Sequence, residues 1–574
     1  MQYKKFTLFF HFIMIINLSQ AQNVLNLKTF SSPVNFPIYL SGNYGEIRSG
    51  HFHAGIDIKT QSVKGKEIFS IGDGYISRIK ISTTGYGKAL YINHPNGYTS
   101  VYGHLNNFNS KISSFVKNEQ YKNNEFEINI YPSPTDFQIK KGDLIAFSGN
   151  TGSSKGPHLH FEIRDSKSQT PLNPLLFNFD IKDNIPPVFY VIHFYPLSNS
   201  SLINNMNKQA NFILKKSDEK YSIADTNKLH LSGKIGIGIE TNDFLNGSLN
   251  KCGIYSLKLF INNQEIYSHI IDSISFNETG YIKSHIDYAK KIGSKKTIQK
   301  MFVAPNNKLS IYKTLKNNGI FNFKKDSIYM IELIAADANG NTSNLTIKAD
   351  GNSSNENIVS TNNLSDRILM HWETENYFEN DEIKIVIPKK ALYDTIYFHY
   401  SSSEKNESIH SKIHHVHFET TPIQKKFSIS INIESLSDKY KEKAFIAYIN
   451  NEKEVEYTGG KVINNFMVSD TKYFGDYTVL VDTINPTIEP LTKNNVLLDG
   501  EKINLTIIDD LSGIKSYNGY IDNKWALFEY DKKNDLLSYS YDKEIIEKNK
   551  EHEVELFVID NTGNISTYYT SFYW

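Results

Sequence analysis

The stretch GPHLHFE at residues 156–162 constrains this chain most, because polar and apolar residues alternate along it. Such alternation predicts a β-strand, in which side chains two positions apart point to the same face of a sheet. The imidazoles of His158 and His160 would therefore lie side by side. Histidines also occur in sheets as ordinary half-buried polar residues, so this pair alone does not establish a metal site.

Two earlier fragments add potential metal ligands. They are HAGID at residues 53–57 and YGH at residues 102–104. Zinc in proteins prefers imidazole nitrogens and carboxylate oxygens at about 2.0–2.2 Å, and a catalytic zinc keeps three protein ligands with a fourth position open. His53, Asp57 and His160 offer a set of this kind. Three histidine-bearing fragments therefore support a metal centre more strongly than the alternating stretch does by itself.

The three fragments together, HxxxD, YGH and GPHLHFE, resemble the motifs of the lysostaphin-type zinc metallopeptidases, also called LytM-like peptidoglycan endopeptidases. The resemblance covers roughly residues 36–180, and no motif position departs from the family pattern. It implies Zn2+ as the cofactor, flanked by a pair of catalytic histidines. The implied zinc ligands are His53, Asp57 and His160, and the implied catalytic residues are His104 and His158.

The resemblance also implies the reaction, which is hydrolysis of peptide cross-links in peptidoglycan by a water that zinc activates. Which of His104 and His158 would accept the proton of that water is left open.

Two other functions also remain open. One is a non-catalytic activator or cell-wall-binding module on the same fold, as in family members that have lost zinc ligands. The other is a structural or adhesion scaffold in which zinc only stabilises a closed site, for which His51 would have to be the fourth ligand.

Four further residues near the motifs have alternative interpretations. We interpret His51 as a residue beside the metal or in the substrate groove, and His94 as a strand-end histidine that forms hydrogen bonds. Arg48 could contact a substrate carboxylate, although an exposed arginine often makes no specific contact. The side-chain oxygen of Asn43 could occupy the open zinc position and inhibit the enzyme.

The N-terminus predicts export. Two lysines precede an apolar run at residues 6–18. The small residues at the alternate positions 19 and 21 are typical of a cleavage site, so residues 1–21 are predicted to be a signal peptide. The run is shorter than the ~20 residues that a transmembrane helix needs, which leaves an uncleaved anchor as the less favoured alternative. No cysteine follows the cleavage site to carry a lipid. We expect the mature chain in the periplasm, in the cell envelope or outside the cell, with no stable membrane span.

Charge and cysteine content exclude several classes of protein. Lys and Arg together number 62, and so do Asp and Glu, so no net field attracts nucleic acid. The expected partner is a peptidoglycan peptide that is recognised locally in a groove. The only cysteine is Cys252, which rules out an intrachain disulfide and a four-thiolate zinc site. The aromatic content of 13% suits folded, β-rich domains.

Short strands bounded by turn residues predict a mainly β chain, in which an antiparallel β-sheet metallopeptidase domain precedes Ig-like β-sandwich domains. Stiff, proline-containing segments at 183–187 and 482–486 mark two boundaries. The predicted regions are a peptidase domain at 22–182, an Ig-like sandwich at 183–350, a flexible linker at 351–366, a further β domain at 367–480 and a second Ig-like sandwich at 481–574. The sandwich domains are candidates for binding protein partners.

The two sandwich regions share one plan, which indicates an internal repeat. Each has an acidic turn, at Asp243 and at Asp510, and each closes on a strand followed by Asp, Gly and Asn, at 337–341 and at 560–564. The acidic turns could bind calcium through oxygen ligands. Asp and Asn are also favoured in turns for local hydrogen bonding alone, and we prefer that simpler interpretation.

Turn residues in the peptidase region predict two hairpins, at 67–79 and at 89–102. The second hairpin would place His104 just beyond the end of a strand, where catalytic groups are often found. Residues 105–139 form an insertion whose first half has helical spacing of apolar residues. We interpret this segment as an ordinary surface insertion, with a lid or wall of the substrate groove as the alternative.

Overall fold

The computed structural model describes residues 30–218, 220–224, 228–351, 366–404, 410–492, 497 and 501–574. The predicted signal peptide at 1–21 and nearly all of the predicted linker at 351–366 lie outside the described residues. Where the chain is described, β-strands dominate and helices are few and short, which confirms the mainly β prediction.

An antiparallel sheet of eleven strands forms the N-terminal domain. Its strands are β1 (Leu40–Gly42), β2 (Ile56–Lys59), β3 (Glu67–Phe69), β4 (Gly74–Ile81), β5 (Lys88–Asn93), β6 (Tyr98–Phe108), β7 (Ile128–Ile130), β8 (Gln138–Ile139), β9 (Leu144–Ser148), β10 (His158–Asp165) and β11 (Pro171–Leu172). The main path runs β1-β2-β10-β6-β5-β4-β7, so β10 lies between β2 and β6.

The alternation along β10 separates a core face from a polar face, as the sequence predicts. Leu159, Phe161 and Ile163 are fully buried in the main core of the domain. Burying such side chains contributes roughly 1.5–3 kcal/mol each. Because a shift of one residue would reverse the two faces, this burial fixes the register that places His158 and His160 on the opposite side.

One of the two predicted hairpins is confirmed and the other is wrong. Strands β5 and β6 pair across the turn at residues 94–97. Strand β3 instead pairs with β9, and β4 pairs with β5. The turn before β4 therefore connects two strands, β3 and β4, that do not pair with each other.

The insertion contains helix α1 (Ser110–Asn123), as its spacing predicts. Asn109 caps the helix, because its side chain accepts a hydrogen bond from the backbone N–H of Ile112. Asn124 ends it in the left-handed conformation, with φ of 53°. Ile112 and Val116 bury one side of the helix in the domain core.

The second region is one twelve-stranded mixed sheet around its own core. Its strands are β12 (Val188–Pro196), β13 (Leu202–Ile203), β14 (Ala210–Ser217), β15 (Lys220–Ile223), β16 (Leu229–Asn242), β17 (Ser256–Ile261), β18 (Gln264–Ile270), β19 (Gln299–Lys300), β20 (Tyr312–Leu315), β21 (Phe321–Phe323), β22 (Ser327–Ala336) and β23 (Thr342–Gly351). Strand β16 pairs with both β12 and β23, so the sheet curls back on itself. Two short helices, α2 (Ile282–His285) and α3 (Tyr288–Ser294), follow β18.

The third region has two five-stranded sheets and one two-stranded sheet. Its elements are β24 (Ile368–Met370), β25 (Asn376–Glu379), β26 (Ile383–Ile387), β27 (Ile396–Phe398), β28 (Tyr400–Ser403), β29 (Ile413–Val416), β30 (Phe427–Asn432), helix α4 (Asp438–Lys441), β31 (Ala444–Ile449), β32 (Val455–Gly459), β33 (Lys461–Ile463), β34 (Phe466–Thr471) and β35 (Gly475–Val481). Buried apolar side chains from both five-stranded sheets pack together in one core.

The last region is a sandwich of two four-stranded antiparallel sheets around a single core. Its strands are β36 (Thr487–Pro490), β37 (Lys502–Ile508), β38 (Ile514–Ile521), β39 (Lys524–Ala526), β40 (Glu529–Asp531), β41 (Leu536–Ser540), β42 (Glu551–Asp560) and β43 (Ile565–Tyr573). No helix in the described ranges has both the length and the apolar content that crossing a bilayer requires.

The second and last regions both contact the N-terminal domain. Leu245 and Cys252, at the ends of a loop between β16 and β17, are buried in the core of the N-terminal domain. On another side of that domain, Asp542 of the last region accepts hydrogen bonds from Lys117 at 2.7 Å and from Tyr121 at 2.6 Å. Helix α1 is therefore a docking platform for the last region, a role that neither interpretation of the insertion included.

Candidate metal centre

The pairing of three adjacent strands brings the predicted site together. In β10, His160 lies opposite Asp57 of β2 on one side and opposite Gly103 of β6 on the other. Directly paired residues point to the same face of a sheet, so Asp57 and His160 project together. His53 precedes β2, in a short ladder in which its backbone N–H donates to the carbonyl of Glu46 at 2.9 Å.

The side chains of His53, Asp57 and His160 converge with spacings that fit zinc. His53 Nε2 lies 3.0 Å from His160 Nδ1 and 3.1 Å from Asp57 Oδ1, and His160 Nδ1 lies 2.9 Å from the same oxygen. Ligands of a tetrahedral zinc are about 3.3 Å apart, given bonds of about 2.0–2.1 Å. All three residues are buried. Two imidazoles and one carboxylate form a donor set that suits zinc.

Neighbouring groups fix the tautomer of each histidine ligand. His53 Nδ1 donates to the backbone carbonyl of Asn43 at 2.8 Å, which leaves the Nε2 lone pair directed at the centre. His160 Nε2 lies 2.7 Å from the carboxylate of Glu162, which leaves Nδ1 for the metal. Such second partners orient ligating histidines and raise their basicity.

Glu162 belongs to a buried network behind His160. Its two carboxylate oxygens accept hydrogen bonds from Arg164 Nε at 2.6 Å and from the Tyr86 hydroxyl at 2.5 Å. Burial alone would raise the pKa of Glu162, but Arg164 and His160 lower it to about 2. Burial alone would likewise lower the pKa of His160, yet hydrogen bonds to Asp57 and Glu162 raise it to about 9. The network therefore keeps a negative charge against His160.

Arg48 holds the second oxygen of the Asp57 carboxylate. Its Nη2 donates to Asp57 Oδ2 at 2.5 Å, and its Nε lies 3.4 Å from Glu46. Burial would raise the pKa of Asp57, but the neighbouring imidazoles of His53, His158 and His160 hold it well below its usual value. Arg48 thus orients Oδ1 toward the centre. It is engaged in internal ion pairs, which differs from the substrate contact that the sequence suggested.

His104 and His158 lie together beside the candidate ligands. Their ring centroids are 4.8 Å apart, and His158 Nε2 is 3.4 Å from Asp57 Oδ1. Each ring donates through Nδ1 to a backbone carbonyl at 2.8 Å, of Thr151 for His104 and of Gly156 for His158. Both Nε2 lone pairs are thereby free of these backbone contacts. Burial, and then the neighbouring histidines, lower the pKa of His104 to about 3, so it is neutral at physiological pH.

The prediction that His104 lies beyond a strand end is wrong, since it lies within β6. Its φ is 56°, a left-handed value that is unusual for a histidine. The pairing of β5 with β6 shifts register at this point, which marks a β-bulge. The bulge turns the His104 side chain out of the ordinary alternation and toward His158.

The remaining candidate residues lie outside the ligand group. His51 is exposed, and its Nδ1 contacts the Ser49 carbonyl at 3.2 Å. His94 bonds to the Asp73 carbonyl and to the Ser100 hydroxyl, both at 2.8 Å, in line with the sequence interpretation.

The proposed inhibitory role of Asn43 is wrong, because its side-chain amide is occupied elsewhere. It donates to the Gly253 carbonyl at 2.7 Å and accepts from the Gly253 N–H at 2.8 Å.

Sequence reasoning missed the partners that orient the candidate ligands. Glu162 could have been found, because it continues the alternating face of His158 and His160 along the same strand. Tyr86 and the Thr151 carbonyl carry no local signal, since only the fold brings them to the site.

Comparison with known proteins identifies two regions of the chain. The model of peptidase family M23 matches residues 51–121 and 133–174, and a Zu5-like domain model matches residues 367–482. A DD-carboxypeptidase/endopeptidase, Mpg, of Neisseria meningitidis is 30% identical over 129 residues, which are 22% of this chain and 23% of that protein. The murein hydrolase activator NlpD of Escherichia coli is 32% identical over 122 residues, 21% of this chain and 25% of that protein.

Solved structures also align with the N-terminal domain. The catalytic domain of lysostaphin from Staphylococcus simulans is 25% identical, with 25% of this chain and 92% of that chain covered and a TM-score of 0.19. A zinc-containing peptidase from Vibrio cholerae is 24% identical, with 26% of this chain and 39% of that chain covered and a TM-score of 0.20. The chain spans about a quarter of the length of the curated relatives it matches. The matched segments between residues 51 and 174 form a domain of peptidase family M23, of the lysostaphin type.

Proposed function

We propose that this chain is an exported zinc metalloendopeptidase that hydrolyses peptide cross-links of bacterial peptidoglycan. The observation that carries the proposal is the meeting of two functional sets on one face of the sheet. His53, Asp57 and His160 present three donor atoms within 3.1 Å of one another, and the rings of His104 and His158 lie beside them.

Each of these residues has a role that its contacts support. His53, Asp57 and His160 would hold zinc, which when bound supplies a Lewis acid that polarises a carbonyl and acidifies water. His104 and His158 each keep Nδ1 on a backbone carbonyl, so each offers Nε2 as a proton acceptor. One of them takes a proton from the attacking water, and a protonated imidazole returns it to the leaving amine.

The relatives support the substrate class and raise one alternative. Mpg is named as a DD-carboxypeptidase/endopeptidase, and NlpD is named as an activator of murein hydrolases. All three candidate ligands and both candidate catalytic histidines are present, which favours a catalytic function over the activation of a separate hydrolase. The N-terminal sequence favours export, to the periplasm, the cell envelope or the medium. We also propose that residues 183–350 and 481–574 act as accessory domains that bind other components of the envelope.

The function is tested by measuring zinc content and muropeptide release from purified peptidoglycan with the mature chain. We expect about one zinc per chain, and His104→Ala should keep the metal and lose about 10²–10⁴-fold in rate. His51→Ala is the matched control, because His51 is exposed beside the site, and it should keep both zinc and activity. Stoichiometric zinc without release would support the scaffold function. Stimulation of a separate hydrolase by an inactive chain would support the activator function.

A further inference from the structure

Three carboxylates converge in the second region, outside the peptidase domain. Asp183 precedes β12, Asp243 follows β16 and Asp337 follows β22. Each contributes one oxygen, and these oxygens lie within 4.8 Å of one another. Asp243 and Asp337 are only 2% and 3% exposed. Three carboxyl groups are thus held together with little access to water.

The last region contains a second cluster at matching positions. Asp482 precedes β36, Asp509 follows β37 and Asp560 ends β42, and their oxygens also lie within 4.8 Å of one another. The sequence had suggested Asp510 as the counterpart of Asp243, but the structure assigns that place to Asp509. Asp510 is exposed and belongs to no such group in the described chain.

The third carboxylate of each cluster is held by a loop of the same construction. One oxygen of Asp337 accepts from the backbone N–H groups of Asn339 and Asn341, both at 2.9 Å. One oxygen of Asp560 accepts from Thr562 and Asn564 in the same way, at 2.8 and 2.9 Å. These bonds hold both carboxylates in a defined orientation.

Each cluster also contains a buried carboxylate oxygen that has no hydrogen-bond partner. These are Oδ1 of Asp243 and Oδ2 of Asp482, and Asp482 is fully buried. A buried polar atom without a partner costs about 1–3 kcal/mol, and more when it is charged. Burial, and then the charges of Asp183 and Asp337, raise the pKa of Asp243 to about 8. Burial and the neighbouring Asp482 and Asp560 carboxylates likewise raise the pKa of Asp509.

We propose that each cluster is a binding site for Ca²⁺. A divalent cation would pair with the orphaned oxygen and offset the repulsion within the cluster. All three side-chain donors are hard oxygen atoms, which favours Ca²⁺ or Mg²⁺ over zinc or copper. Ca²⁺ fits better, because it accepts irregular sets of 6–8 oxygens from separate loops, whereas Mg²⁺ requires near-ideal octahedral geometry.

The first site also lies at the base of a loop that docks on the peptidase domain. Asp243 and Cys252 exchange backbone hydrogen bonds at 2.9 and 2.8 Å, which closes the loop. Gly253 follows and bonds to Asn43, whose carbonyl orients His53. Calcium at this site would therefore strengthen the contact between the second region and the zinc centre.

Calcium binding is tested on the full zinc-loaded chain after calcium is removed on a chelating resin and zinc is restored. Equilibrium dialysis with ⁴⁵Ca²⁺ should give about two calcium ions per chain. Asp243→Asn and Asp509→Asn should each remove one, and the double variant should remove both. Asp510→Asn is the matched control and should bind as the wild type does. Mg²⁺ at equal concentration should not compete.

The proposal is overturned if the wild type takes up no calcium at about 10 mM, above the 10⁻⁴–10⁻³ M range of extracellular modules. It is also overturned if the double variant still binds two ions.

Thermal unfolding distinguishes a loss of calcium binding from misfolding of the variants. Replacement of Asp by Asn keeps the shape of the side chain and adds no charge to the cluster, so the calcium-free variants should melt close to the wild type and show no rise with calcium. Marked destabilisation without calcium would instead indicate a purely structural role for the carboxylates.

Discussion

Replacing Glu162 with glutamine tests whether Glu162 prepares His160 to bind the proposed zinc. The Glu162 side chain is fully buried, and one of its oxygens lies 2.7 Å from His160 Nε2. The substitution preserves size but removes the charge that favours an electron-rich imidazole. Loss of a carboxylate behind a ligating histidine costs about 10–100-fold in metal affinity, or roughly 1.4–2.7 kcal/mol.

The same substitution affects stability through a different contact. Glu162 is the partner of Arg164, which is 5% exposed, at 2.6 Å. Removing one member of a buried ion pair leaves the other charge uncompensated and destabilises a protein by roughly 3–5 kcal/mol. Glu162→Gln should therefore lower both the zinc affinity and the melting temperature.

A second variant separates these effects. In Glu162→Gln combined with Arg164→Met, no charge is left uncompensated, so most of the stability should return while the zinc affinity stays low. Zinc affinity is measured by competition with a chromophoric chelator at fixed pH, and stability by thermal unfolding at saturating zinc. If the double variant binds zinc within about threefold of the wild type, the carboxylate does not tune His160 and the reasoning is refuted.

Three further predictions concern docking, pH and metal removal. Asp542→Asn should weaken the hydrogen bonds from Lys117 and Tyr121, each of which contributes about 1.5–3 kcal/mol. Amide hydrogen exchange in α1 should therefore become faster. Unchanged exchange would contradict this prediction. Burial lowers the pKa of His285 from 6.5 to about 4, so the unfolded chain binds more protons between these values. Stability should therefore fall as the pH drops through that window, by up to about 3 kcal/mol from His285 alone, and His285→Phe should reduce the slope of the curve. Chelation of zinc should lower the melting temperature, and zinc but not Mg²⁺ should restore it.

Local patterns in the sequence were sufficient to predict much of the candidate site. Alternation in β10 gave the strand and the shared face of His158 and His160, because burial of the apolar residues leaves only one stable register. The helix in the insertion and the hairpin of β5 and β6 also follow from local spacing and turn residues. In each case the residues that decide the structure are neighbours in the sequence.

The errors occurred where distant residues decide the structure. The turn before β4 was interpreted as a hairpin, but β3 pairs with β9, which lies much further along the chain. His104 was placed beyond a strand because no sequence rule predicts a bulge with positive φ at a histidine. The sequence leaves Asn43 open as an inhibitory group because the partner of its side-chain amide, Gly253, lies 210 residues away.

These long-range contacts show that the candidate active site is supported by the other regions of the chain. On one side, the second region bonds to Asn43, whose carbonyl orients His53. On another side, Lys533 of the last region donates to the carbonyls of Asn150 and Ser154. These residues flank Thr151, the hydrogen-bond partner of His104. The loops that orient a candidate ligand and a candidate catalytic residue are therefore each held by a different distant region. Removing either region would change the geometry of the centre as well as its surroundings.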